Sequence, residues 1–146
     1  MKLTMDIQRL IFEVFLLLDD GDRRALGTLN LSVAQFNTLR HLDHERGLTI
    51  NELSELLWCD KSNTTRLVDR LVEEGLATRE PDPNDRRFVQ VRLTMAGHHL
   101  RYRALALYEA SIAQRLAALP EDDLMALEQL LSRVRDTLQR QLVETC

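Results

Sequence analysis

Residues 60 to 94, DKSNTTRLVDRLVEEGLATREPDPNDRRFVQVRLT, switch hydrophobic period partway along, and that switch restricts the fold more than any other feature of the chain. Asp60 is a good helix N-cap and Gly75 a good C-terminal stop. Between them Leu67, Val68, Leu71 and Val72 form one apolar stripe at helical spacing. The first turns carry Lys61, Ser62, Asn63, Thr65 and Arg66 instead, which are cationic or hydrogen-bonding. A packing stripe beside a donor-rich leading end suits a helix that enters the major groove of DNA. After Gly75 the period becomes alternating. Val89, Val91 and Leu93 interleave with Phe88, Gln90 and Arg92, so residues 88–93 predict a half-buried strand. The loop from Glu80 to Arg87 has two prolines, and Arg86 and Arg87 stand where it re-enters the sheet.

The flanking segments predict helices. Ile7, Leu10, Ile11, Val14, Phe15, Leu17 and Leu18 give an amphipathic first helix over residues 5–19, ending near Asp19, Asp20, Gly21 and Asp22. Residues 23–31 are expected to be irregular. Ser32 to Gln35 has capping-box spacing and opens a second helix, expected to run to about Arg46 and stop at Gly47. Thr49 to Glu52 repeats that signature and opens a short third helix with Leu53, Leu56 and Leu57 inward. A turn at Trp58-Cys59 joins it to the Asp60 helix, a helix-turn-helix with a hairpin wing. Thr94 caps a long helix containing Leu100, Leu107, Ile112, Leu116 and Leu119, and Pro120 breaks it. In the last helix Leu124, Leu127, Leu131, Val134, Leu138 and Leu142 recur at heptad-like spacing, which calls for a partner helix. Leu127, Leu131, Val134 and Leu138 are therefore expected at a dimer interface. The fold class is mainly α with a small β-hairpin wing: a winged helix-turn-helix with N- and C-terminal dimerisation helices. Residues 31–97 are expected to form the winged lobe, and residues 1–30 with 98–146 the dimerisation lobe of a single domain.

A net charge of −4 argues against a nucleic-acid partner only if charge is evenly spread. Residues 60–103 hold nine Lys and Arg against seven Asp and Glu. From Arg86 to Tyr108 there are five arginines, two histidines and no acid. Fields act over about 8–10 Å in physiological salt, so a local basic patch can bind phosphate on an acidic protein. Two cysteines are too few for a disulfide framework and fit a reducing compartment. No apolar run approaches the roughly 18 residues of a membrane span. The N-terminus has no signal-peptide pattern, so a cytoplasmic protein is expected.

Two stretches carry a resemblance. Asp85-Arg86-Arg87 through Leu93-Thr94-Met95-Ala96-Gly97 fits the pattern Asp-x-Arg, five residues, Leu-Thr-x-x-Gly, and Thr65-Arg66-Leu67-Val68-Asp69-Arg70-Leu71 precedes Gly75-Leu76. In these motifs, and in its order of elements, the chain resembles the MarR family of transcription regulators. Motif-level similarity runs from about residue 48 to residue 97. Thr64 departs from the pattern, standing where the family usually has an apolar residue. The resemblance implies a homodimer on a palindromic operator, with recognition helices in major grooves and wings in minor grooves, commonly released by a small ligand. By the family pattern Arg87 partners Asp85, which leaves Arg86 for the minor groove.

The expected DNA-binding residues are therefore Lys61, Ser62, Asn63, Thr65, Arg66, Arg86 and Arg87, with Asn63 and Arg66 as base readers. Arg40 and His44, placed by the helical wheel beside Val33 and Phe36, are expected at the rim of a pocket for an aromatic carboxylate or phenol. The bland alternative is that Arg40 snorkels and His44 is a surface residue. His41 with His44, and His98 with His99, lack further ligands at metal spacing, so no metal or other cofactor is expected. Cys59 reads as a packed thiol rather than a redox sensor. No phosphate-cradling loop or catalytic triad appears, which excludes the common enzyme signatures. The function expected is a DNA-binding transcriptional regulator, a repressor released by a small aromatic effector. The competing reading is a winged-helix protein-interaction module that does not bind DNA.

Overall fold

The computed structural model describes residues 1–145, with side chains described through residue 142; Cys146 lies outside the described residues. Six helices and three strands follow in the order α1 (Lys2–Gly27), α2 (Val33–His41), β1 (Leu48–Thr49), α3 (Ile50–Leu57), α4 (Lys61–Glu73), β2 (Ala77–Pro81), β3 (Val89–Leu93), α5 (Met95–Leu116) and α6 (Glu121–Thr145). The architecture is the mainly helical winged helix-turn-helix anticipated from the sequence.

The chain divides into two compact units. The first spans Met1–Ser111. Its core is built from Leu26, Phe36, Leu39, Leu42, Leu53, Val68, Leu71, Val91 and Ala104, all fully buried. The sheet has the order β1-β3-β2, antiparallel throughout, so β3 is central. Ala77 pairs with Leu93 and Pro81 with Val89 across the wing. β1 adds Leu48 opposite Val91 and Thr49 opposite Gln90. Only the hairpin is expected from alternation, because the two residues of β1 are too few for a period to register.

Several boundaries differ from expectation. α1 does not end near Asp19–Asp22 but continues through Gly21 to Gly27. Arg23 Nε lies 3.0 Å from Asp19 Oδ2 and Arg24 Nε 2.9 Å from Asp20 Oδ2, acid-first i,i+4 pairs that support the helix where glycine weakens it. The chain then turns at Asn30, whose φ is 56°, and Leu31 N donates back to Leu26 O at 3.1 Å. α2 ends at His41, not near Arg46. The Asp43 carboxylate accepts from His44 N at 2.8 Å and from Arg46 N at 3.3 Å, a local turn that competes with further helix. His44 is therefore not on α2. In α3 Leu53 is buried as expected, but Leu56 is 46% exposed. Leu119 lies beyond the end of α5, in the connection to α6.

The second unit runs from Ile112 and comprises the end of α5 and α6. Three acids in the first turn, Glu121, Asp122 and Asp123, complement the dipole of α6. None of its described side chains is buried.

Candidate nucleic-acid interface

α3 and α4 form the helix-turn-helix, and local chemistry sets each end. The Thr49 hydroxyl accepts from Glu52 N at 3.2 Å while Glu52 Oε1 accepts from Thr49 N at 3.4 Å, the expected capping box. α3 ends at Trp58 in the left-handed region, φ 55°, with the indole two-thirds exposed. Asp60 Oδ1 accepts from Asn63 N at 2.8 Å and so caps α4. Glycine at position 75, φ 73°, lets the chain leave α4 for the wing.

Val68 and Leu71 supply the buried face of α4 and Leu67 is half-buried, whereas Val72, expected in the same stripe, is 37% exposed. Thr64, the departure from the family pattern, is also fully buried. Its hydroxyl donates to Asp60 O at 2.9 Å and lies 3.0 Å from Ser54 Oγ of α3. A polar residue is tolerated in this apolar setting because its hydrogen bonds are made inside the motif.

The opposite face carries Lys61, Ser62, Asn63 and Arg66, all exposed, with Thr65 half-buried beside them. Arg66 Nη2 donates to Asn63 Oδ1, and Asn63 Nδ2 donates to Asp60 Oδ2 at 3.1 Å. A further contact, missed in the sequence, ties the helix to the wing. Arg79 of β2 lies 2.5 Å from Asp69 Oδ1, and its Nη2 lies 3.4 Å from Thr65 O. An exposed acid in the middle of a helix with a cationic leading end was the available signal, since such an acid calls for a cation beside it.

At the wing tip Arg87 grips Asp85 with two nitrogens, Nε to Oδ1 at 3.0 Å and Nη2 to Oδ2 at 2.8 Å. The Arg87 side chain, then the Arg87 backbone N–H, hold the Asp85 carboxyl below its ordinary range. The same contact raises the Arg87 guanidinium above its own. Arg86 is exposed and makes no ion pair among the described residues. A groove of about 330 Å³ runs between the wing and the start of α3, lined by Ile50, Asn51, Arg87 and Phe88 among others.

The two residues placed at an effector pocket do not come together as the helical wheel required. The Arg40 guanidinium stands over the Phe36 and Tyr108 rings, 5.7 and 5.9 Å from their centroids. Arg101 Nε donates to Arg40 O at 3.2 Å. Burial, then the charges of Arg40 and Arg101, lower the pKa of His41. His44 packs instead against His98, with ring centroids 4.1 Å apart and the rings tilted by 47°, a pairing of the two histidine clusters that their separation in sequence concealed. Among the described residues no group of three or more His, Cys, Asp or Glu is placed to hold a metal ion. Cys59 is a free, half-buried thiol. No helix of the described residues is long and apolar enough to cross a membrane.

A family model described as the MarR family matches residues 31–89. The multiple antibiotic resistance protein MarR of Escherichia coli (strain K12) is 36% identical over 110 residues, covering 75% of this chain and 76% of that protein. The organic hydroperoxide resistance transcriptional regulator of Bacillus subtilis (strain 168) is 28% identical over 113 residues, 77% of this chain and 76% of its own. Among solved structures, a mutant MarR from E. coli complexed with operator DNA superposes with a TM-score of 0.83 at 32% identity, covering 90% of this chain and 94% of that one.

Proposed function

The chain belongs to the MarR family of transcriptional regulators, a DNA-binding family and not one of enzymes, and from that premise we propose that it is a homodimeric repressor of a palindromic operator, released by a small aromatic effector. Each protomer inserts the leading face of α4 in a major groove and its wing in the flanking minor groove. Lys61, Ser62, Asn63, Thr65 and Arg66 serve the first contact, Arg86 and Arg87 the second. The observation that carries this reading is the pair of cationic surfaces on adjoining elements, Arg66 on α4 and the exposed Arg86 at the wing tip. The proposed lobes are residues 31–97 for DNA and residues 1–30 with 98–146 for pairing.

Arg86 meets the focused negative potential of a minor groove, while Arg87 shapes the loop through Asp85. Arg86→Ala should weaken binding across all sequences and reduce the slope of log K against log salt by about 0.9, the loss of one phosphate contact. Fluorescence from the single tryptophan, exposed at Trp58, or from labelled duplex reads the titration at several salt concentrations. Arg86→Ala/Arg87→Ala binding selected duplex as wild type does would remove the wing from the interface. A wild type with no salt-dependent DNA affinity would favour a protein-interaction module instead.

For the effector, support comes from Arg40, whose guanidinium stands over the Phe36 and Tyr108 rings, with Arg101 bonded to the Arg40 carbonyl next to it. His44 is not part of this cluster, being packed against His98. A salicylate-like acid held there lowers DNA affinity only by its preference for the protein's non-binding state. Duplex binding titrated with a panel of aromatic acids should fall for wild type and fall several-fold less for Arg40→Ala. An equal response in both proteins would move the effector away from Arg40.

A further inference from the structure

Asn63 makes one side-chain hydrogen bond within α4 and one to the residue that caps it. Its Nδ2 donates to Asp60 Oδ2 at 3.1 Å, and its Oδ1 accepts from Arg66 Nη2. Asp60 Oδ1 meanwhile caps the helix through Asn63 N at 2.8 Å. The three side chains thus form a chain of hydrogen bonds at spacings of three residues along the exposed leading face. Its polarity is uniform: a carboxylate accepts from an amide, whose oxygen accepts from a guanidinium. The anion at one end polarises the amide and strengthens the contact at the other.

We propose that Asp60, Asn63 and Arg66 act as one unit, in which Asn63 is a positioning residue that sets the Arg66 guanidinium for a guanine and is not an independent reader of a second base. The inference rests on the reading of α4 as the base-reading helix. An arginine on an exposed helix face samples many rotamers, and a fork that must meet guanine O6 and N7 together is usable in few of them. Ordering the side chain before DNA arrives removes that cost from the binding step. Asn63 is one turn from Arg66, and Asp60 fixes which way its amide faces. Had Asn63 been left without intramolecular partners, the same residue would have been suited to adenine on its own. Asp60 then has two tasks on two oxygens, capping with Oδ1 and aiming with Oδ2.

The test is a double-mutant cycle on a duplex that the wild-type chain selects from a randomised library, with each base pair of the half-site then varied in turn. Arg66→Ala should lose between about 5-fold and 150-fold in affinity and become indifferent at one G·C pair. Replacing that guanine with 7-deazaguanine should weaken wild type and leave Arg66→Ala unchanged. Asn63→Ala should lose less, and should become indifferent at the same pair. Asn63→Ala/Arg66→Ala should bind no more weakly than Arg66→Ala alone. Asp60→Ser keeps a cap but removes the oxygen that holds the amide, and should blunt the same preference in part. An unchanged thermal transition in each variant separates aiming from folding. Losses that multiply in the double variant, with a second base pair relaxed by Asn63→Ala, would overturn the shared unit and leave the DNA-binding reading intact. A wild-type chain that selects no common duplex would take both down.

Discussion

Replacing Gly97 by alanine is expected to destabilise the first unit by about 3 kcal/mol, the upper end of what overpacking usually costs. Gly97 is buried near the start of α5, where a Cβ would stand 2.0 Å from Leu76 O, 2.9 Å from Leu76 C and 3.2 Å from Leu93 Cδ2. The first two atoms are backbone, and that backbone is held from several sides. Leu76 N donates to Leu71 O at 2.9 Å and Leu76 O accepts from Thr94 N at 3.0 Å. The Thr94 hydroxyl donates to Gly75 O at 2.7 Å and accepts from Gly97 N at 3.1 Å. The end of α4, the base of the wing and the start of α5 all meet here. Moving Leu76 away from a methyl group would break the lock and tilt α4 against the wing. The Leu-Thr-x-x-Gly part of the motif thus has a steric cause: the threonine ties the junction and the glycine makes room for it. Urea unfolding of wild type and Gly97→Ala should show a clear drop in midpoint at an unchanged slope. An equal midpoint would mean that the junction yields freely.

What was legible in the sequence is what local chemistry decides. The Asp60 cap, the Gly75 exit and the inward turn of Val91 and Leu93 each need only a few neighbouring residues and are found where they were expected, although Val89, the outermost of the expected strand positions, is 45% exposed. The same holds for the capping boxes at Ser32 and Thr49. The misread boundaries depend on choices between two local options. Gly21 breaks a helix unless flanking pairs support it, as Asp19–Arg23 and Asp20–Arg24 do. Asp43 is acceptable within a helix, yet its carboxylate finds two backbone donors in a turn. Because the end of α2 was misplaced, the helical wheel put His44 beside Arg40, and the effector cluster inherited that error. Periodicity also gives a stripe without saying how far it is covered, which is why Leu56 and Val72 are apolar but exposed. The contacts that set α4 against the wing, Arg79 with Asp69 and with Thr65 O, cross from helix to strand at the Gly75 turn, where neither the helical nor the alternating period pairs positions. Within the candidate interface, residue type predicted which side chains lie on the leading face. It did not predict that three of them hold one another.

Leu131→Asp should turn the proposed dimer into a monomer and lower affinity for selected operator duplex at least about 100-fold, the usual scale for loss of bivalent attachment. The seam of α6 is exposed in the single chain: Leu127 is 44% exposed, Leu131 48%, Val134 39% and Leu138 55%. Val134 and Leu138 also line an apolar groove of about 330 Å³ on α6, with Leu130 and the stem of Arg133. α1 adds Phe12 at 57%, Phe15 at 59% and Leu17 at 73% exposed. Apolar side chains repeating along whole helices are more than the scattered exposure normal for a monomer, and pairing them removes that surface from water. An aspartate at position 131 must either stay charged against apolar side chains or hold the partner helix away, and both penalise association. DNA binding follows because two half-sites about 34–36 Å apart need two recognition helices held together. Gln129→Asp, on the same helix but outside the seam, adds the same charge and should change neither property. Sedimentation velocity at micromolar chain, paired with duplex titrations of the three proteins, measures both effects. A Leu131→Asp chain that sediments as a monomer yet keeps wild-type affinity would show that one recognition helix and one wing suffice, and the palindromic, two-fold reading of the operator would fall with it.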